Sequence, residues 1–134
     1  MAQLSFSIPK ELTDKLDRIG KTSDYAPKML QAEMDVTYPE VMRRMQQHRH
    51  SEADSLVDHI VKTKPKLDKN GVWRAQIKPS GKDKRGVSNN QKMLSLEYGT
   101  SKQVATPVFR PAKAATENQA IAASQRVFSE AVTK

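Results

Sequence analysis

The chain reads as an α+β domain: a small, mostly antiparallel sheet packed against several helices, in the manner of strand, helices, long-loop hairpin and C-terminal helix. Three observations predict this. Residues 3–8 and 72–78 alternate between apolar and polar side chains, the period of half-buried strands. Apolar residues recur at helical spacing through residues 10–48 and again from residue 112 onward. Asn70-Gly71 is a strong turn signal directly before the second alternating run. The 134 residues fit one domain, spanning 1–134, with enough chain to bury a core of its own.

Gln3-Leu4-Ser5-Phe6-Ser7-Ile8 is the first strand, and Pro9 both stops its ladder and starts a helix. Leu12, Leu16 and Ile19 place that helix over about residues 10–20, with Gly20 ending it. Ser23 or Asp24 caps the next helix, and Pro27 falls in its first turn. Leu30, Met34, Thr37, Val41 and Met45 carry it to about residue 48, with a kink expected at Pro39. Residues 51–54 restart the chain with capping residues, and Leu56, Val57, Ile60 and Val61 form the stripe of a short third helix. Residues 62–70 are a basic turn region. In the second strand Trp73, Ala75 and Ile77 face inward.

Residues 79–91 read as a long loop rich in Gly, Ser, Asn and Lys, expected to be mobile in the free subunit. Met93, Leu94, Leu96 and Tyr98, with Ser95 and Glu97 between the last three, alternate as a third strand that Gly99-Thr100 ends. The loop then joins two strands as a hairpin. Pro107 and Pro111 bracket Val108, Phe109 and Arg110, which read as a short extended arm. Pro111 fits the first turn of a last helix over about 112–133, with Ala114, Ile121, Phe128 and Ala131 roughly on one face. No internal repeat is evident.

The net charge is +8, and it is unevenly placed. Residues 62–92 carry ten basic and two acidic side chains, whereas residues 1–61 carry eight and ten. The middle segment therefore holds an excess equal to that of the whole chain, which points to a local surface for an anionic partner. Lys82, Lys84 and Arg85 in the loop, with Lys78 and Lys92 at its base, are candidates for contact with DNA phosphates or with an acidic protein face. They lack interleaved aromatics, so base reading is not indicated. A solvated basic loop is the plainer alternative.

Catalysis has little support. The chain has no cysteine, which removes disulfides, thiol nucleophiles and cysteine metal sites. His48 and His50 lie two apart at a helix end, and with His59, Asp54 and Asp58 they match no metal-ligand spacing. Ser51, His50 and Asp54 are sequence neighbours, without a nucleophile elbow. No cofactor, metal or catalytic residue is assigned, and the chain is not expected to be an enzyme. Apolar runs are too short to cross a membrane, and the first residues lack the basic start and apolar core of a signal peptide. A cytoplasmic product, or one assembled there, is expected. The methionines Met29, Met34, Met42, Met45 and Met93 read as core, with an adaptable partner surface as the alternative.

Glu97-Tyr98-Gly99-Thr100 followed by Pro107-Val108-Phe109-Arg110-Pro111-Ala112 resembles a family of tail-completion or head–tail joining proteins of long-tailed bacteriophages and prophages. That family pairs an acidic-aromatic-Gly-Thr block with Pro-Phe-Leu-Arg-Pro-Ala before its last helix; here one apolar pair is swapped in order. Residues 55–60 also look like the family's short helix. The resemblance spans about the C-terminal two-thirds of the chain. It implies a tail-terminator-like fold and an oligomeric ring, typically a hexamer, at the neck or top of the tail. Implied partners are further copies, the connector and the tail tube, with viral DNA passing through; the implied location is the virion. Glu97, Tyr98, Gly99, Thr100, Pro107, Phe109, Arg110 and Pro111 are the expected subunit or partner contacts. Glu97 is also suited to clamp backbone N–H groups, and Arg110 to form an ion pair with a neighbouring subunit or with Glu97. A small, non-specific nucleic-acid-binding protein using residues 62–92 is the alternative function.

Overall fold

In the computed structural model, residues 3–47, 54–102 and 104–133 are described. The order is β1 (Leu4–Ser7), α1 (Lys10–Arg18), α2 (Thr22–Gln47), α3 (Asp54–Val57), β2 (Ile60–Lys62), β3 (Lys66–Leu67), β4 (Trp73–Pro79), α4 (Asn89–Tyr98) and α5 (Phe109–Thr133). The fold is α+β, with a small antiparallel sheet and a C-terminal helix.

β4 is the centre of the sheet, with β1 on one side and β2 and β3 on the other. Leu4 stands opposite Ile77 and Phe6 opposite Ala75, and all four are buried. Directly opposed residues share a face. Ser5, Ser7, Arg74 and Gln76 therefore form the other face, which holds the strands' polar side chains. Trp73, expected inward with Ala75 and Ile77, is only partly buried.

The apolar face packs on two long antiparallel helices. Lys21, just before α2, donates to the carbonyl of Ala131 near the end of α5 at 2.8 Å. That places a cation on the negative end of a helix. Further along, the hydroxyls of Thr37 and Thr116 lie 2.9 Å apart, and Thr116 donates to the Ala112 carbonyl, so it accepts from Thr37. α5 presents small residues every fourth position, namely Ala112, Thr116, Ala120 and Ser124, all buried. α2 answers with buried Met29, Leu30, Met34, Val41 and Met45. A row of small side chains lets the two helices approach closely, as they do at Thr37 and Thr116. The four residues read as sharing one face of α5 are not its buried stripe. Ala114 and Ile121 are exposed, Phe128 is partly buried, and only Ala131 is buried. The buried stripe is built from small and hydroxylated residues, so an apolar pattern does not reveal it.

Four further expectations need correction. Residues 93–98 form the second half of helix α4, not a strand, so the hairpin from β4 across residues 79–91 does not form. Ser88 caps α4, its Oγ accepting from the Gln91 N–H at 3.3 Å. Ser88-Asn89-Asn90-Gln91 has the spacing of a capping box, which outweighs the short alternation that follows. Asn89, Met93 and Glu97, four apart, are the buried face of this helix, and Tyr98 points outward. Second, Ile60 and Val61 lie in β2, where Ile60 opposes Pro79 and its carbonyl accepts from the Tyr38 hydroxyl at 2.9 Å. Third, α2 begins at Thr22, which puts Pro27 in its second turn; the helix continues through both Pro27 and Pro39. Fourth, Phe109 begins α5 and is buried together with Val108, so the proline-bracketed segment is not an extended arm. His48, His50 and Ser51 lie outside the described residues.

Candidate interaction site

The two sequence blocks meet in space. Glu97, in the last turn of α4, is 1% exposed. Its Oε1 accepts from the N–H groups of Val108 at 2.9 Å and Phe109 at 2.8 Å. Its Oε2 accepts from the Arg110 N–H and from Arg110 Nε, each at 3.1 Å. A helix leaves its first four N–H groups without intrahelical partners. Here Val108, Phe109 and Arg110 give theirs to Glu97, Pro111 has none to give, and Ala112 makes the first bond back, to the Val108 carbonyl at 3.0 Å. One carboxylate from a different helix thus satisfies the whole start of α5 and adds negative charge at its positive end.

Arg110 returns the favour at α4. Its Nη2 donates to the Glu97 carbonyl at 2.7 Å, near the negative end of that helix. Gly99, at φ 78°, closes α4 with its N–H on the Ser95 carbonyl at 2.8 Å. The guanidinium lies 4.7 Å from the centre of the Tyr98 ring, a cation–π distance. Thr106 N–H donates to the Leu96 carbonyl at 2.8 Å, which pins the connecting loop. The Glu97–Arg110 pair is therefore a reciprocal cap between two helix ends. Of the expected contact residues, Glu97 and Phe109 are inside the chain, while Tyr98, Thr100, Pro107 and Arg110 are exposed; Gly99 and Pro111 are half-buried.

The basic segment is spread along β4 instead of gathered in one loop. Lys66 opposes Arg74, and Lys78 lies two further steps along the same open face of the sheet. The strand's seven residues extend this face over about 23 Å. At each end of β4 sits a turn of nearly the same sequence, Asp68-Lys69-Asn70-Gly71-Val72 and Asp83-Lys84-Arg85-Gly86-Val87. In both, the Asp carboxylate accepts from the N–H groups two and four residues on, at 2.8 to 2.9 Å. In both, the Gly has a left-handed φ, 78° at Gly71 and 83° at Gly86. The Val72 N–H and then the Arg74 guanidinium hold the Asp68 carboxyl below the usual carboxylate range. The Lys92 ammonium, 2.5 Å away, and then the Val87 N–H do the same for Asp83. The sequence carries this short repeat as Asp-Lys-x-Gly-Val, which corrects the reading that no internal repeat is evident.

Residues 80–88 are accordingly a built turn. Lys82 and Ser88 form a bridge, and Asn89 Nδ2 donates to the Ser80 carbonyl at 2.7 Å. Lys82, Lys84 and Arg85 are exposed on it, Lys78 is half-buried on the sheet face, and Lys92 is engaged by Asp83. His59 meets this turn through its backbone, whose carbonyl accepts from the Ser80 N–H at 2.8 Å. Among the described residues no three His, Cys, Asp or Glu side chains come together as a metal site, and no helix is long and apolar enough to cross a membrane. The chain matches no protein-family model, no curated protein and no solved structure significantly.

Proposed function

We propose that this chain is a structural protein of a phage virion that forms an oligomeric ring, of hexameric type, at the head–tail joint or tail top. The observation that carries the reading is the reciprocal cap. It makes the acidic-aromatic-Gly-Thr block and the Pro-Val-Phe-Arg-Pro-Ala block one physical unit, which explains why the two patterns occur together. The unit spends its charged chemistry on holding two helices and leaves Tyr98, Thr100, Pro107 and Arg110 outward as a rigid contact surface for the connector, the tail tube or a neighbouring copy. Joining reactions with purified tails and DNA-filled heads test it. Addition of the protein restores joined particles, with a ring visible by negative-stain imaging at the junction. A protein that neither joins particles nor binds tails or connectors overturns the reading.

The open basic face of β4 favours a second reading, non-specific binding of nucleic acid. Lys66 and Lys78 stand on it, and the exposed Lys69 and Lys84 lie in the turns at its two ends, without aromatic stacking platforms. Such binding falls steeply with salt, and replacing Lys69 and Lys84 by Gln lowers the slope by about one per lost phosphate contact. Absence of binding at physiological salt removes this reading.

A further inference from the structure

We propose that a groove along the free edge of β1 receives residues 63–67 of a second copy, joining subunits head to tail. This rests on the ring reading and names the surfaces that would build it. Among the described residues β1 pairs only with β4, so its other edge carries no strand. Beside that edge runs a groove of about 470 Å³ between β1, α1, α2 and α5. Phe6, Leu12 and the 44%-exposed Ile121 supply its apolar lining. Glu11, Glu33 and Glu117 line it as well, against one cation, Lys113.

Two features say that the groove wants a positively charged guest. The Oε2 atom of Glu33 is buried with no hydrogen-bond partner, a costly state that a donor from outside relieves. Desolvation raises the Glu33 carboxyl to about 7, as expected where the charge has too little compensation, with Lys113 opposing the shift. The guest is present on the opposite flank of the same sheet. There Lys64 and Lys66 are exposed, and Leu67 between the lysines and the turn is 56% exposed. Lys66 and Leu67 point to opposite faces of this edge, so the strip offers lysine on one face and an exposed leucine on the other, which an acidic groove with an apolar floor can take together.

β1 and β3 lie on opposite sides of β4, so groove and strip face away from each other. A two-fold contact would set acid against acid or base against base. The charge pattern instead selects a heterologous contact, groove to strip, which repeats and closes into a ring when the rotation permits. Lys66 and Pro65 also make this edge a poor template for promiscuous strand pairing, while the β1 edge has no charged residue to guard it.

Charge reversal at exposed positions tests the contact, with sedimentation velocity as the readout and circular dichroism to verify folding. Glu11→Lys with Glu117→Lys, and separately Lys64→Glu with Lys66→Glu, are expected to weaken self-association at least about tenfold per interface. The chain carrying all four changes regains most of the lost association, because both partners of each contact are inverted. Rings that form equally well in all variants overturn the groove-to-strip contact and leave the ring standing. A wild-type chain that stays monomeric both alone and on tails overturns both. A monomer whose tail binding is lost only in the Glu11/Glu117 variant gives the groove to a tail protein, which overturns the second copy as occupant and keeps the assembly role.

Discussion

Replacing Glu97 by Ala removes the acceptor of four hydrogen bonds in one step. The Val108 and Phe109 N–H groups sit in the core, so water does not readily take the place of the carboxylate. Hydrogen bonds to a charged group contribute about 1.5–3 kcal/mol each, and leaving a buried donor unpaired costs about 1–3 kcal/mol. These figures overlap, because the Arg110 contacts are half in solvent. Loss of an ordinary helix cap sets the floor at about 1 kcal/mol, and breaking a buried charged pair sets the ceiling at about 5 kcal/mol. The expected cost is about 3–5 kcal/mol. For a chain of this size that is a fall in Tm of about 6–20 °C. Arg110→Ala makes the comparison informative. Its side chain is 56% exposed, and Glu97 keeps its three backbone donors, so the cost is about 1 kcal/mol. Urea unfolding followed by the fluorescence of the single Trp73 and by far-UV circular dichroism measures both. Hydrogen exchange adds a local readout, since the Val108 and Phe109 amides lose protection in Glu97→Ala. Equal costs for the two variants, or a Glu97→Ala cost below 1 kcal/mol, would refute the reciprocal cap as the fastening of α5.

Three further outcomes follow from the same geometry. The Glu33 carboxyl is raised to about 7 in the folded chain, so its contribution to stability is complete below the unfolded value near 4.5 and is lost as pH rises through about 7. Glu33→Gln, with Lys113, Glu11 and Glu117 unchanged around it, is therefore neutral at pH 4 and stabilising at pH 8, on the order of 1–2 kcal/mol after allowing for solvent; a pH-independent difference in urea midpoint contradicts the assignment. Ser88→Ala removes the cap of α4 and costs about 1 kcal/mol in the same unfolding assay, and Ser88→Asp restores most of it. Gly71→Ala and Gly86→Ala meet open space, with no heavy atom within 4 Å of the added Cβ, so each costs only the left-handed backbone, about 1–2 kcal/mol. Unequal costs at the two sites would mean that the twin turns are not equivalent.

The strands β1 and β4 and the helices α1 and α2 were legible because their buried residues are largely apolar and recur with the period of the element, which is the condition under which periodicity reports structure. α4 was misread for an identifiable reason. Its buried face is Asn89, Met93 and Glu97, of which only Met93 is apolar, while the apolar alternation comes from Leu94 and Leu96, which are partly buried on different sides of the helix, and the exposed Tyr98. A carboxylate that belongs to the core cannot be scored as core from the sequence, since its burial depends on N–H groups 11 to 13 residues away. The stripe of α5 failed similarly, because threonine, serine and alanine carry the packing there. Of the contact residues, Glu97 and Arg110 were recognisable as a possible pair from their chemistry, but their common role at two helix ends needed the fold.

That common role constrains how the proposed assembly surface can be probed. Arg110 holds the last turn of α4, shares Oε2 of Glu97 with its own backbone N–H, and stacks on the Tyr98 ring. A loss of assembly in an Arg110 variant therefore has two sources, a weakened fold and a missing outward charge. Tyr98 separates them. Its side chain is 58% exposed, and no bond of the reciprocal cap uses its hydroxyl or ring as a partner for Glu97. Removing the ring frees one face of the guanidinium and leaves every donor to the carboxylate in place. Tyr98 and the exposed Thr100 and Pro107 are thus the positions at which the proposed contact surface changes while the fastening of the two helices does not.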